Sequence, residues 1–183
     1  YFLKVKETAP SDPTTNVYLA KIYKDKGDMP GAAKHLLQLI AISPHNIATY
    51  QELEEVYMRM GETEKFHRMM LKAIAEDPKN VGAYRALGLI SLRRGDQGSA
   101  QKAFEKVLAY MPANQDVLLD LGYLYGRQGM FARSEDMFKR VVALSPNDAE
   151  AMQALGSIYQ KQGKPDEALA AYRNVLTHHP EEF

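Results

Sequence analysis

The sequence predicts an all-α chain, an α-solenoid of stacked helix–turn–helix repeats, and three observations predict it. Prolines fall at 10, 44, 78, 112, 146 and 180 and glycines at 27, 61, 95, 129 and 163, all thirty-four residues apart, the mark of a repeat architecture. Between these points apolar residues recur at helical spacing, in two runs per period. Ahead of each first run stands Asp12, Asn46, Asn80, Asn114 or Asp148, residues whose short side chains accept from the exposed N–H groups at a helix start.

Residues 1–12 read as the end of a preceding repeat, because Phe2 and Val5 share the phase of Phe104 and Val107 counted from the next proline. The first full repeat covers 13–46. Asp12 followed by Pro13 starts its first helix, since proline at the first helical position gives up an N–H that has no partner there anyway. Leu19, Ala20, Ile22 and Tyr23 share a face, and Gly27 ends the helix in the left-handed cap that glycine takes readily. Asp28 and Pro30 start a second helix that turns Ala32, Leu36 and Leu39 inward. Pro44 ends it, because the residue before a proline is biased away from helical geometry.

The second repeat, 47–80, departs from the pattern. Phe66 stands where repeats one, three and five have alanine, and Glu54 where the others have Ala20, Gly88, Gly122 and Gly156. A ring and a carboxylate at two small-residue phases either widen the helix pair or are accommodated by Met70 and Ala73. The expectation is accommodation, because overpacking costs about 1–3 kcal/mol and a smaller neighbour relieves it. Repeats 81–114, 115–148 and 149–183 are regular: Leu87, Leu121 and Leu155 hold one phase, and Phe104, Phe138 and Tyr172 another. Ser91 replaces the tyrosine found at 23, 57, 125 and 159, which predicts thinner packing at that point. The expected organisation is therefore a single domain over 13–183. The chain opens on Tyr1 without a methionine and closes without a polar helix over its last apolar face, so it reads as a piece of something longer.

The totals exclude more than they assign. Basic and acidic residues balance at 23 each, so no global field draws the chain to nucleic acid or to a membrane surface. Without cysteine there is no disulfide framework, thiolate zinc site or cysteine nucleophile. No apolar run has the length of a membrane span, and no signal-peptide pattern opens the chain.

The unit Tyr84, Leu87, Gly88, Gly95, Ala100, Phe104 and Pro112 resembles the tetratricopeptide repeat, and the resemblance covers nearly the whole chain in five copies. A helical RNA-binding repeat of similar size is the nearest competitor, but the Leu-Gly, Ala and Pro phases and the neutral charge argue against it. The resemblance implies a right-handed stack with first helices lining a concave face and second helices the outside. It also implies that a ligand sits on that face. Members that capture acidic chaperone C-termini carry asparagine at phases 6 and 9 of the first helix. Here those phases hold Tyr18 and Lys21, Glu52 and Glu55, Ala86 and Leu89, and Asp120 and Tyr123, so that clamp is rejected.

In each first helix, phases 4, 7, 8 and 11 point into the repeat and leave 2, 5, 9 and 12 as a separate stripe. Repeat three presents Gly82, Arg85, Leu89 and Leu92 with Arg93 beside them; repeat four presents Asp116, Leu119, Tyr123 and Gly126 with Arg127. One reading is a shallow groove of Leu89, Leu92, Leu119 and Tyr123, flanked by Arg85, Arg93 and Arg127, that takes a peptide or helix with apolar anchors and some acid. The other is that neighbouring first helices use these side chains in their own packing. Repeat three carries five basic and two acidic residues, and repeat two five basic and seven acidic, which favours the groove slightly. The stripes of repeats one (Val17, Lys21, Lys24) and two (Gln51, Glu55, Met58) are mixed.

No phosphate-binding loop, zinc-protease helix or nucleophile elbow occurs. His178, His179, Glu181 and Glu182 read as a solvated terminus, and His35, His45 and His67 as single residues at outer or loop positions. Neither a cofactor nor a metal nor a catalytic residue is expected. The expected function is a non-enzymatic interaction module with a protein or peptide partner, without nucleic acid and without membrane insertion. A self-associating scaffold, and the regulatory or substrate-presenting arm of a larger enzyme, are the alternatives.

Overall fold

In the computed structural model the described residues are 12–178. Among them are ten helices and no strand: α1 (Pro13–Asp25), α2 (Met29–Ile42), α3 (Ile47–Arg59), α4 (Thr63–Glu76), α5 (Val81–Arg93), α6 (Gln97–Tyr110), α7 (Gln115–Arg127), α8 (Phe131–Leu144), α9 (Ala149–Lys161) and α10 (Pro165–His178). The expected fold class is therefore the observed one. The reading of residues 1–11 as the end of an earlier repeat lies outside the described residues, as does the terminal His179, Glu181 and Glu182 cluster.

All five expected caps form. The side chains of Asp12, Asn46, Asn80, Asn114 and Asp148 accept from the backbone N–H of Thr15, Thr49, Ala83, Val117 and Ala151 at 2.7, 3.3, 2.9, 3.0 and 2.8 Å. Each bond satisfies a donor that the helix leaves without an intrahelical partner. At the other end of α7 the chain reverses through Gly129 at φ 74°. The N–H of Gly129 donates to the carbonyl of Gly126 and that of Met130 to Tyr125 at 2.9 Å. This is the paired closure that a left-handed residue just past a helix allows, and α1 closes in the same way on Tyr23 and Lys24.

The described chain divides into two compact units, with the boundary after Lys106, inside α6. In the first unit α1 packs on α2, α2 on α3 and α4 on α5, and α3 also meets α5. Its core joins Ala20, Ala32, Leu36, Leu53, Val56, Phe66 and Ile90. In the second unit α7 packs on α8, α8 on α9, α9 on α10, and α7 meets α9. Phe138, Ala154, Leu155 and Ile158 form a core cluster there. Within each unit a repeat buries its stripe against the next one, so helices of 13 or 14 residues, marginal alone, hold one another.

The small residue at phase 8 shows why the regular repeats are regular. A Cβ on Gly122 would stand 2.6 Å from the Phe138 ring, and one on Gly156 2.7 Å from Tyr172. The aromatic of the second helix thus lies directly on the backbone of the first. Repeat two inverts this arrangement. Met70 replaces the aromatic, which leaves room for Glu54, and Phe66 fills the alanine phase, its ring stacked on Tyr57 at 5.5 Å.

The expectation of simple accommodation in repeat two needs correction. Phe66 and Met70 are fully buried, yet the backbones of α3 and α4 come close over a far shorter stretch than those of α1 and α2. Two stacked rings occupy the space that Ala32 leaves free in repeat one, so the pair is both filled and widened. A second correction concerns His35, expected at an outer or loop position. It is 5% exposed, stacks on Tyr23 at 5.4 Å, and its Nδ1 lies 2.8 Å from the Asn16 Oδ1, itself buried.

Candidate partner-binding site

The first-helix stripe is built differently in the two units. In the first unit Lys24, Glu55, Arg85 and Arg93 of the stripe are paired within the chain. Lys24 of α1 donates to Glu55 of α3 at 2.7 Å. Arg85 of α5 is buried at 6% exposure, its guanidinium against the side-chain carbonyl of Gln51 on α3. Arg93, with an exposed head, pairs with Glu54, which is almost wholly buried. Leu89 and Leu92 are half-buried. Expected as a flank of the groove, Arg85 is instead an interior residue that joins two first helices.

In the second unit the stripe is open. Leu119 of α7 is half-buried and packs against the cluster of Phe138, Leu155 and Ile158. Tyr123, one turn further, is 41% exposed and meets Phe138 edge-on, with centroids 5.1 Å apart and planes at 70°, an arrangement favoured by the aromatic quadrupole. Its hydroxyl donates to Glu150 Oε1 of α9 at 3.0 Å. Partial burial, and then the Glu150 carboxylate, push the phenol up to about 12, so it remains a neutral donor at ordinary pH. Arg127, one turn beyond Tyr123, is exposed.

Between α7 and α9 this stripe encloses a pocket of about 130 Å³, with Gly122, Phe138 and Ile158 in its floor and Tyr123, Arg127 and Lys161 around it. The absence of side chains at Gly122 and Gly126 opens it. Lys161 was not singled out in the sequence. It occupies phase 13 of repeat five, as Arg93 and Arg127 do in theirs, and that shared phase was the available signal. The ammonium of Lys161 stands over the Phe131 ring at 5.9 Å. Among the described residues no three His, Cys, Asp or Glu side chains are grouped so as to hold a metal ion, and no helix is long and apolar enough to cross a membrane.

A family model described as the Cilia and flagella-associated protein 70 middle TPR-like domain matches residues 54–178. The chain belongs to this tetratricopeptide-like family. Among solved structures, the crystal structure of MamA protein is 22% identical, with 93% of each chain covered and a TM-score of 0.70. The crystal structure of YrrB, described as a TPR protein with an unusual peptide-binding site, is 16% identical, with 98% of this chain and 93% of that one covered and a TM-score of 0.67. A tetratricopeptide repeat protein from Parabacteroides merdae ATCC 43184 is 18% identical, with 93% of this chain and 68% of that one covered and a TM-score of 0.70. Similarity at these identities is similarity of fold. No curated protein matches the chain.

Proposed function

We propose that this tetratricopeptide domain is a non-enzymatic interaction module whose first-helix face, concave in the family arrangement, holds a peptide or helix of a partner protein. Leu119, Tyr123 and Arg127 carry contact in the second unit. Leu89, Leu92 and Arg93 carry it in the first, with Arg85 supporting them from beneath. The observation that supports this reading most is the open stripe on α7. A half-exposed tyrosine over a small apolar pocket, with arginine beside it, is the residue combination that dominates protein interfaces. Family membership supports a protein-interaction role in general, and the peptide-binding site described for YrrB is a precedent in the same fold.

The test is capture from native lysate by the wild-type chain and by the Leu119→Ala/Tyr123→Ala variant, with a thermal melt confirming that the variant is folded. Proteins retained by the wild type should be lost from the variant. Retention of the same set by a folded variant would remove α7 from the binding face. Light scattering on the isolated chain checks the competing scaffold reading, which requires a mass that rises with concentration.

A further inference from the structure

The pocket between α7 and α9 is apolar in its floor and basic at one end only. Arg127 and Lys161, the closing residues of the two helices, stand at that end, and Glu150, holding the Tyr123 hydroxyl, at the other. Cations at helix C-termini are ordinarily explained by the helix dipole, whose negative end they neutralise. The same phase in the first unit shows what else they do in this chain. There Arg59 lies 3.8 Å from Glu55 and Arg93 pairs with the buried Glu54. In the second unit phase 13 has no such partner: among the described residues neither Arg127 nor Lys161 pairs with a carboxylate. For Lys161 the reason is the small residue at phase 8 of the repeat before it, since in the first unit the pair runs from Arg93 of repeat three back to Glu54 of repeat two. Gly122 stands where Glu54 stands in repeat two, so the substitution that removes the internal carboxylate also opens the pocket.

We propose that this pocket takes an acidic segment of a partner polypeptide, with one aliphatic side chain seated on Phe138 and Ile158 and a neighbouring carboxylate between Arg127 and Lys161, where Glu54 pairs with Arg93 in the first unit. This rests on the first-helix face being the binding face and names the chemistry recognised there. The volume fits a single side chain, since an apolar cavity of ~150 Å³ takes a molecule the size of benzene. A carboxylate reaching two cations on an apolar floor forms charge-assisted bonds stronger than those of a solvated surface pair. Glu150 sets the polarity: it repels acid at the far end and so fixes which way the segment lies.

The test is a titration of the isotope-labelled whole chain with acetyl-Glu-Glu-Leu-Glu-Glu-amide, followed through backbone amide resonances. Acid on both sides of the leucine lets the peptide enter in either direction. The peptide should shift Gly122, Gly126 and Ser157. Affinity should fall about tenfold or more when its glutamates are replaced by glutamine or its leucine by alanine, as loss of a desolvated charge pair or an anchor side chain requires. Arg127→Ala/Lys161→Ala, two exposed positions whose loss leaves the core untouched, should abolish the difference between the glutamate and glutamine peptides. Equal affinity for those two peptides on the wild-type chain would overturn the proposal, as would shifts confined to other helices. The same double variant tested in lysate capture separates the two levels. If capture is lost in Leu119→Ala/Tyr123→Ala but kept in Arg127→Ala/Lys161→Ala, the first-helix face stands and acid recognition falls. If neither variant loses capture, both fall.

Discussion

Gly122 shows how one atom sets the spacing of a repeat. A methyl group on its Cα would meet the Phe138 ring at 2.6 Å, in a place where the ring is buried and cannot swing out. Gly122→Ala should therefore destabilise the chain by about 1–3 kcal/mol, although alanine favours helix by ~1 kcal/mol in an unconstrained site. Urea unfolding measures it, and adding Phe138→Leu should return part of the loss. At Tyr123 the prediction concerns protonation. A phenol held at about 12 is favoured in its neutral form by the fold, so that contribution is intact below the ordinary value of 10 and is lost as pH rises through 12. Absorbance titration should show one tyrosine ionising late, and Glu150→Gln should bring its midpoint down. At this scale the sequence was legible wherever a residue type answers a backbone need, as with the capping Asp and Asn residues and the turn glycines. It was less so for His35, although its phase is held by Ala103, Met137 and Ala171 in other repeats, all buried. A polar residue type obscured an interior position that the repeat itself marked.

Among the helices, caps and ion pairs decide how well neighbours hold. Asn114→Ala removes the bond to the Val117 N–H and should cost about 1 kcal/mol, read as a lower melting temperature with the helical spectrum unchanged. Glu135 of α8 binds Lys139 one turn on and Lys164, at the entry to α10, at 3.1 Å. The Lys139 hydrogen bond is the main reason its carboxyl lies at about 2. A carboxyl lowered by folding contributes stability that is complete above its ordinary value near 4.5 and vanishes as pH falls through 2. Glu135→Gln should accordingly flatten the acid limb of stability over that interval, measured by urea midpoints at successive pH values. The Glu135–Lys164 pair was not readable beforehand, because it is made by the stacking of α8 against the following repeat and not by helical spacing. The pocket was half-legible for the same reason: Tyr123 and Arg127 share one helix face, whereas Ile158 and Lys161 arrive on another helix.

For the whole molecule, repeat energetics are sums of local terms and nearest-neighbour interfaces. Phe66→Ala removes a fully buried ring from repeat two and should cost about 3–5 kcal/mol. Hydrogen exchange should show the loss concentrated in α3, α4 and α5, with amides around Leu121 and Val141 of the second unit keeping most of their protection. Uniform loss across all ten helices would mean that the chain unfolds as one block. The thirty-four-residue period made the fold class plain before any coordinate, because every local choice agrees with it. The division after Lys106 was hidden, since no proline, glycine or polar linker marks the middle of α6.

Asn80 has two tasks at once. Its carbonyl oxygen starts α5 at the Ala83 N–H, while its amide nitrogen donates to the hydroxyl of Tyr50 at 2.8 Å, a phenol already fixed inside the preceding repeat and lying against Gly82. A growing polypeptide delivers Tyr50 thirty residues before Asn80. The third repeat can thus find its starting point waiting on the second, and this step of assembly on the ribosome has a built-in order from the N-terminal side.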